Sequence, residues 1–454
     1  MKKYDAVVIG GGPGGYVAAI KTAQLGKKVA VVEKEHLGGT CLNWGCIPMK
    51  SLIRNAEVIE SLHQGGVYGF EISGVKADYA KAQQRSRQVS ERLARGVGYL
   101  MKKNGIDVIT DEAVLKKDRS VALKNSGETL AAENVIIAAG AQPARLPMAD
   151  YSARSVLDSR KALALTKAPG SVCIVGSGAI GLEFASVWSA YGAKVTIIEL
   201  MDRLLPSEDA DVSAAVRKVY ESRGIAVLTG TAVSAIDARS GGVTVQAGDK
   251  TVKCECVLIS AGIRPAFAPG ESGVKTDARG YIVVDDQMRT SVPGVYAIGD
   301  VTGKLALAHT ASAQGIIAAK AISGMRTEPL DYQSIPRCTY GIIETASAGI
   351  TEEQAKQQGI DYVTGVFPLS ANGKTLTMGH SDGFVKVIAG RKHKEVLGVH
   401  MAGPHVTEMI AGAAGLLKLE ATLDELAEIV HPHPTVSEAL MEAAHVALGE
   451  GIHI

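Results

Sequence analysis

The sequence predicts a mixed α/β chain: two open parallel-sheet domains of one design, a central region and a C-terminal α+β domain. Three observations predict it. A strand–glycine turn–helix–strand pattern occurs twice. Its strands are continuous apolar runs, as expected of parallel strands covered on both faces. Past residue 333 the pattern changes to alternating strands followed by helices.

The first copy spans residues 4–33: Y-D-A-V-V-I-G-G-G-P-G-G, an Ala-rich stretch, then K-V-A-V-V-E. The second spans 171–199: S-V-C-I-V-G-S-G-A-I-G, an Ala-rich stretch, then K-V-T-I-I-E. Gly10, Gly12, Gly15, Gly26, Val29 and Glu33 map onto Gly176, Gly178, Gly181, Gly192, Val195 and Glu199 with a constant offset of 166. Each copy reads as a βαβ unit with a right-handed crossover.

The G-x-G-x-x-G spacing has a physical purpose. The first glycine makes the tight turn, and the second lets a pyrophosphate approach the backbone. The third lets the helix pack closely on the strand. The phosphates then meet the helix N-terminus. An acid follows the first glycine by 23 residues in both copies, placed for ribose hydroxyls. One such motif is weak evidence, whereas two complete copies are strong evidence for two Rossmann-like dinucleotide sites. Glu199 accepts from a free 2′-hydroxyl and repels a 2′-phosphate, which favours NAD over NADP. Arg203, four residues on, is a cation within reach of a phosphate.

The expected domains are 1–146 and 147–268, each nucleotide-binding, then a central region 269–332 and a final domain 333–454. The central region carries the apolar strand P-G-V-Y-A-I-G-D at 293–300 and an Ala-rich helix. The last domain shows strands at 382–390 and 395–400, then helices over about 405–428 and 435–447.

Of 454 residues, 46% are hydrophobic but only 4% aromatic, so the cores must be mainly aliphatic. Lys and Arg number 48 against 47 Asp and Glu, which gives no footing for nucleic acid or an anionic membrane as partner. No apolar run is long enough to span a bilayer. A structured motif starts within ten residues, so no targeting peptide is expected, and the expected location is the cytoplasm.

Six cysteines in so long a chain do not make a disulfide framework. Cys41 and Cys46 lie in G-G-T-C-L-N-W-G-C-I-P-M-K (38–50), directly after the first nucleotide unit. In a regular helix their Cα atoms stand about 8–9 Å apart, beyond the roughly 7 Å a disulfide spans. A redox pair therefore requires a distorted helix start, for which Gly45 and Pro48 are suited. A helix N-terminus also activates a thiol. No other Cys or His stands at ligand spacing, so no metal is expected.

In H-P-H-P-T-V-S-E-A (431–439), Thr435 or Ser437 can cap the following helix and Glu438 falls in its first turn. The functional reading is a His–Glu pair that moves a proton to and from a thiol. The residues alone do not choose between His431 and His433.

Taken together, these motifs resemble those of the class I pyridine nucleotide–disulfide oxidoreductases along nearly the whole chain. They are G-G-G-P-G-G-Y-V-A-A-I, G-G-T-C-L-N-x-G-C-I-P-x-K, G-S-G-A-I-G-L-E-F-A, Y-A-I-G-D-V, L-A-H-T-A and H-P-T-V-S-E-A. The nearest resemblance is to the branch that oxidises dihydrolipoyl groups. It implies FAD in the first site, completed by the central region, and NAD in the second. It also implies a homodimer joined through the last domain. Cys41 is then the interchange thiol and Cys46 the thiol against the flavin. His433 is the base, oriented by Glu438 and facing the other subunit's cysteines. Lys50 and Glu183 are an ion pair near the flavin, and Asp300 holds the ribityl chain. Ala113, Gly140 and Ala308 complete the flavin site, and Gly262 lies against the nicotinamide coenzyme.

The implied partner is a lipoyl-bearing protein, either a 2-oxo acid dehydrogenase acyltransferase or a glycine-cleavage carrier. A glutathione-type reductase would prefer NADPH, against Glu199. A mercuric-type or large thioredoxin-type reductase would end in further cysteines, and this chain ends L-G-E-G-I-H-I. A mainly structural subunit of a multienzyme complex would not need the Cys, His and Glu set. The chain departs from the family pattern at Met49, Ala139, Ile263, Ala266 and Ile343, none of them a redox residue.

Overall fold

The computed structural model describes residues 2–239 and 241–454. Contacts gather them into two units. One takes in the chain up to Ser51, Lys81–Ala144 and Gly262–Tyr332; the other takes in Leu52–Ala80, Arg145–Ala261 and Gln333–Ile454.

The first unit is built on a seven-stranded sheet. Its parallel part runs Asp107–Thr110, Val29–Glu33, Lys2–Ile9, Thr129–Ile137, Val295–Ala297 in spatial order. Val7, Val8, Ala30, Val31, Val135 and Ile136 are fully buried, the reason these strands read as unbroken apolar runs. The strand Val295–Ala297 pairs with Thr129–Ile137, so the central segment extends the sheet of the first nucleotide unit. The helix Ala308–Ile322 packs on the helix Pro13–Gln24 through small residues: a Cβ on Gly14 would meet Ala311 O at 3.0 Å.

The second unit holds the repeat's other copy. Its parallel sheet orders Ala226–Leu228, Lys194–Ile198, Ser171–Val175, Cys256–Ile259, Val156–Leu157. A three-stranded antiparallel sheet packs on it around Cys173, Val245 and Val257. The C-terminal part is a five-stranded antiparallel sheet covered by helices, the expected α+β layering.

Two expectations there need correction. The helix expected over about 405–428 is two, Val406–Lys418 and Leu423–Glu428. Glu420 takes a positive φ of 54°, and Thr422 with Glu425 forms a capping box that starts the second helix afresh. The last helix begins at Glu438, not 435. Ser437 occupies its N-cap without a side-chain cap, and the Glu438 carboxylate accepts from the backbone N–H of Thr435.

Within the second unit a buried charge cluster joins the nucleotide sheet to the C-terminal sheet. Lys386 is 1% exposed, and its Nζ reaches Asp209 at 3.0 Å, Asp211 at 2.6 Å and Glu352 at 2.6 Å. Burial alone pushes the Lys386 ammonium down, but the three carboxylates outweigh it and hold the proton firmly. Replacing Lys386 with Met leaves Asp209 buried and uncompensated. Urea unfolding of Lys386→Met is expected to show a loss of about 3–5 kcal/mol.

Candidate active site

Four neighbouring parallel strands of the first unit end, at their carboxyl edges, on residues singled out by sequence. Val29–Glu33 ends on Glu33, and Lys2–Ile9 leads into Gly10. Thr129–Ile137 leads to Gly140, and Val295–Ala297 leads to Asp300. Ligands of open parallel sheets bind at that edge. Gly10 has φ 102°, and a Cβ there would meet Ala138 O at 2.4 Å. A Cβ on Gly15 would meet Gly10 O at 1.9 Å, so the helix is held against the strand at van der Waals limit.

Gly12 is the N-cap of Pro13–Gln24 with no side-chain cap, and nothing lies closer than 3.9 Å to where its Cβ would stand. The first-turn amides are thus open to a phosphate. Glu33 Oε2 accepts from Gly11 N at 2.7 Å and Oε1 from Glu35 N at 2.8 Å. Asp111 N donates to Glu33 O, and the strand Ala113–Leu115 begins two residues past Asp111. Gly140 is open on its Cβ side. Asp300 lies in a short 3₁₀ turn, its carboxyl pushed up by burial. Ala308 opens the helix packed on Pro13–Gln24. An uncapped helix end, glycine clearances and a half-buried acid at the same sheet edge suit a dinucleotide with a polyhydroxy chain.

The second unit repeats this geometry. Gly176 has φ 100°, and a Cβ on Gly181 would meet Gly176 O at 2.1 Å. Gly178 is an N-cap without a side-chain cap and with open space at its Cβ. Glu199 Oε2 accepts from Ser177 N and Oγ, both at 2.8 Å, and Oε1 from Met201 N at 2.9 Å. Ser177 stands where Gly11 stands in the first copy. Arg203 gives its Nη1 to Glu353 at 2.7 Å. Glu183 is buried on the helix Ala179–Ala190, and Tyr340 N donates to it at 3.4 Å. Gly262 belongs to the first unit; it takes φ 106°, and its carbonyl accepts from Ala144 N of that unit at 2.9 Å.

The cysteine segment is distorted as the spacing requires. One helix runs Gly39–Trp44 and another starts at Cys46, with Gly45 between them at φ −148°, ψ −113°. A Cβ on Gly45 would meet Thr40 O at 3.1 Å. Pro48 falls in the first turn of the second helix, where its missing N–H costs nothing. Across this break the two sulfurs meet. The Cys41 thiol is pushed far above its usual range, first by its hydrogen bond to Cys46, then by burial, while the Lys50 charge pulls the other way.

Several supporting residues carry no local sequence signal. Arg87 donates to Asn43 O and lays its guanidinium 4.5 Å over the Trp44 ring. Asn43 Nδ2 donates to Leu37 O and Gly39 O. These contacts brace the turn that carries Cys41, from a helix more than forty residues away.

In the second unit His433 Nδ1 lies 2.9 Å from Glu438 Oε1, and Thr435 N donates to Oε2 at 2.8 Å. His431 instead turns its Nδ1 to Ile429 O, so His433 is the histidine with a carboxylate partner. Burial pushes the Glu438 carboxyl up, but the Thr435 amide and the His433 ring outweigh it and hold it below the ordinary range. The His433 side chain is 78% exposed. No described helix is long and apolar enough to cross a membrane. No group of three or more His, Cys, Asp or Glu among the described residues is placed to hold a metal ion.

Residues 4–315 match the family described as pyridine nucleotide-disulphide oxidoreductase, and residues 335–444 match its dimerisation domain. Proteins named dihydrolipoyl dehydrogenase from Bacillus subtilis (strain 168) and Corynebacterium glutamicum are 45% and 44% identical to the chain. Each alignment covers 99% of this chain and 99% of the relative. Among solved structures, LpdA from Mycobacterium tuberculosis superposes with a TM-score of 0.90 at 26% identity, over 98% of this chain and 99% of that one. The HOCl-induced flavoprotein disulfide reductase RclA from Escherichia coli does so with a TM-score of 0.89 at 28% identity, over 98% and 100%.

Proposed function

The chain belongs to the pyridine nucleotide-disulphide oxidoreductases, and on that premise we propose that it oxidises dihydrolipoyl groups and reduces NAD. The observation that carries this is the Cys41–Cys46 contact across the Gly45 break, directly after a flavin-type glycine turn. The domains are an FAD domain (1–146), an NAD domain (147–268), a central domain (269–332) and an interface domain (333–454). FAD is held by Gly10, Gly12, Gly15, Glu33, Ala113, Gly140, Asp300 and Ala308, with Lys50 and Glu183 beside it. NAD is held by Gly176, Gly178, Gly181, Glu199 and Gly262. The protein works in the cytoplasm as a homodimer, in which His433 of one subunit serves the cysteines of the other. Its partner is a lipoyl-bearing protein of a 2-oxo acid dehydrogenase or the glycine-cleavage system.

In the oxidised chain Cys41 and Cys46 share a disulfide. His433 takes the proton of one dihydrolipoyl thiol, and Glu438 steadies the imidazolium that forms. The freed sulfur attacks Cys41; the Cys41–Cys46 bond breaks and Cys46 leaves as thiolate. The second lipoyl sulfur then attacks the first, closing the lipoyl disulfide. Its proton passes by way of His433 to the departing Cys41. The chain now holds both electrons on its cysteine pair, one proton on Cys41 and one on His433, with the negative charge on Cys46. That distribution agrees with a Cys41 thiol whose hold on its proton is strengthened by the hydrogen bond to Cys46 and by burial. Bound at the strand ends, FAD supplies the change from thiol to hydride chemistry, with NAD as the final acceptor.

Steady-state rates test the reading. Dihydrolipoamide with NAD is expected to turn over far faster than with NADP, and glutathione disulfide with NADPH to be a poor substrate pair. Efficient NADPH-dependent reduction of glutathione disulfide would overturn it.

A further inference from the structure

We propose that Glu353 is a positioning residue for coenzyme selectivity: it withholds Arg203 from the adenosine ribose, and so denies a 2′-phosphate its cation. The assignment rests on the reading of Gly176–Glu199 as the NAD site. Arg203 lies four residues past Glu199, on the stretch that leaves the carboxyl end of the strand Lys194–Ile198. It is the nearest arginine in sequence to the acid that faces the 2′-position. A guanidinium is always charged and forks onto phosphate oxygens, so a free Arg203 would offset the repulsion that Glu199 exerts.

Here it is not free. Its Nη1 donates to Glu353 Oε1 at 2.7 Å, and its Nη2 points to Pro206 O at 3.4 Å and Glu208 O at 3.5 Å. Both side chains of the pair are 31% exposed, so the guanidinium stays within reach of solvent and of a ligand. The constraint on it is the ion pair, not burial.

Glu353 is itself held by other means. It lies in the first turn of the helix Glu352–Gln357, which Thr351 and Gln354 cap with a capping box. Its neighbour Glu352 is fixed by Lys386. The second oxygen, Oε2, is buried and makes no hydrogen bond to a described residue. The carboxylate therefore acts on Arg203 through one oxygen and is not needed to close the helix end. Removing its charge should loosen its hold on Arg203, from an ion pair to a neutral hydrogen bond, and leave the fold in place. Selectivity then has two layers. Glu199 accepts from a free 2′-hydroxyl, and Glu353, on the C-terminal part of the same unit, occupies the cation that a 2′-phosphate needs.

The test is calorimetric binding of ADP-ribose and 2′-phospho-ADP-ribose, neither of which turns over, to the FAD-loaded enzyme. Glu353→Gln is expected to bind 2′-phospho-ADP-ribose about fivefold more tightly than the parent, the scale of a half-exposed ion pair. ADP-ribose should change less than twofold. In Glu353→Gln/Arg203→Met the gain should vanish. No gain in the single variant would overturn the assignment. So would a gain that survives without Arg203, or a parallel change for both nucleotides, which marks mere support of the loop. A parent enzyme that bound no ADP-ribose would instead fail the NAD reading itself, and this assignment with it.

Discussion

Cys46→Ser is expected to stop dihydrolipoamide oxidation, with kcat falling on the order of 10⁴-fold or more. The size follows from the chemistry. A serine cannot form the disulfide that accepts the substrate's electrons, so the variant loses a covalent step and not one contribution among several. Cys41→Ser should be as inactive, but the two are expected to differ spectroscopically. Cys41→Ser keeps the sulfur that carries the negative charge, so the long-wavelength absorbance of a thiolate against the flavin should persist. Cys46→Ser should lack it even after reduction with dithionite. The Cys41 thiol is raised by its hydrogen bond to Cys46 and by burial, in keeping with those unequal roles. A Cys46→Ser enzyme that still turned over lipoamide would sink the mechanism.

Neither substitution should unfold the chain, because the break that joins the sulfurs is built by other residues. Gly45 supplies the close approach to Thr40, and Asn43 and Arg87 hold the preceding turn. This shows what was legible in the sequence. The spacing of Cys41 and Cys46 already required a helix break, and the glycine between them already marked its place. The repeat with its constant offset predicted two strand–turn–helix–strand units, and the structure has both, down to the matched φ of Gly10 and Gly176. Arg87, Ser177 and Lys386 were invisible for a common reason. Each acts across a long stretch of chain or through a backbone amide, and neither periodicity nor a local motif records such a contact.

The C-terminal helices mark another boundary of legibility. The sequence reads as one helix over about 405–428, where there are two. The interruption comes from a single positive φ at Glu420 and a capping box at Thr422. The last helix starts at Glu438 and not at 435 for a more telling reason. Glu438 sits at its first position, and its carboxylate is shared between Thr435 N and His433. A residue that reads locally as a favourable helix-start acid is occupied in holding a histidine. The sequence offered both readings of Glu438, and only the three-dimensional placement of His431 and His433 separates them.

His433→Gln is expected to lower kcat for dihydrolipoamide oxidation about 10²- to 10⁴-fold, the usual worth of a positioned general base. Glutamine keeps a donor toward Glu438 but cannot take the thiol proton. The loss should be confined to one half of the reaction. Reduction of the cysteine pair from NADH, followed as the single-turnover appearance of the reduced enzyme, does not require a substrate thiol to be deprotonated, and should stay near the parent rate. Glu438→Gln should lower the first half-reaction less, because the hydrogen bond to the ring survives while the charge that steadies the imidazolium is lost. The Glu438 carboxyl is held below its ordinary range, so it binds a proton less readily folded than unfolded. Its contribution to stability is complete above the ordinary carboxylate range and is lost only as pH falls through the lower folded value. The parent's dyad should therefore keep its carboxylate throughout the pH range in which dihydrolipoamide is assayed. An activity loss on mild acidification should appear equally in the parent and in Glu438→Gln. If His433→Gln slowed both half-reactions alike, the histidine would be supporting the fold and not moving the proton, and its assignment as base would fall.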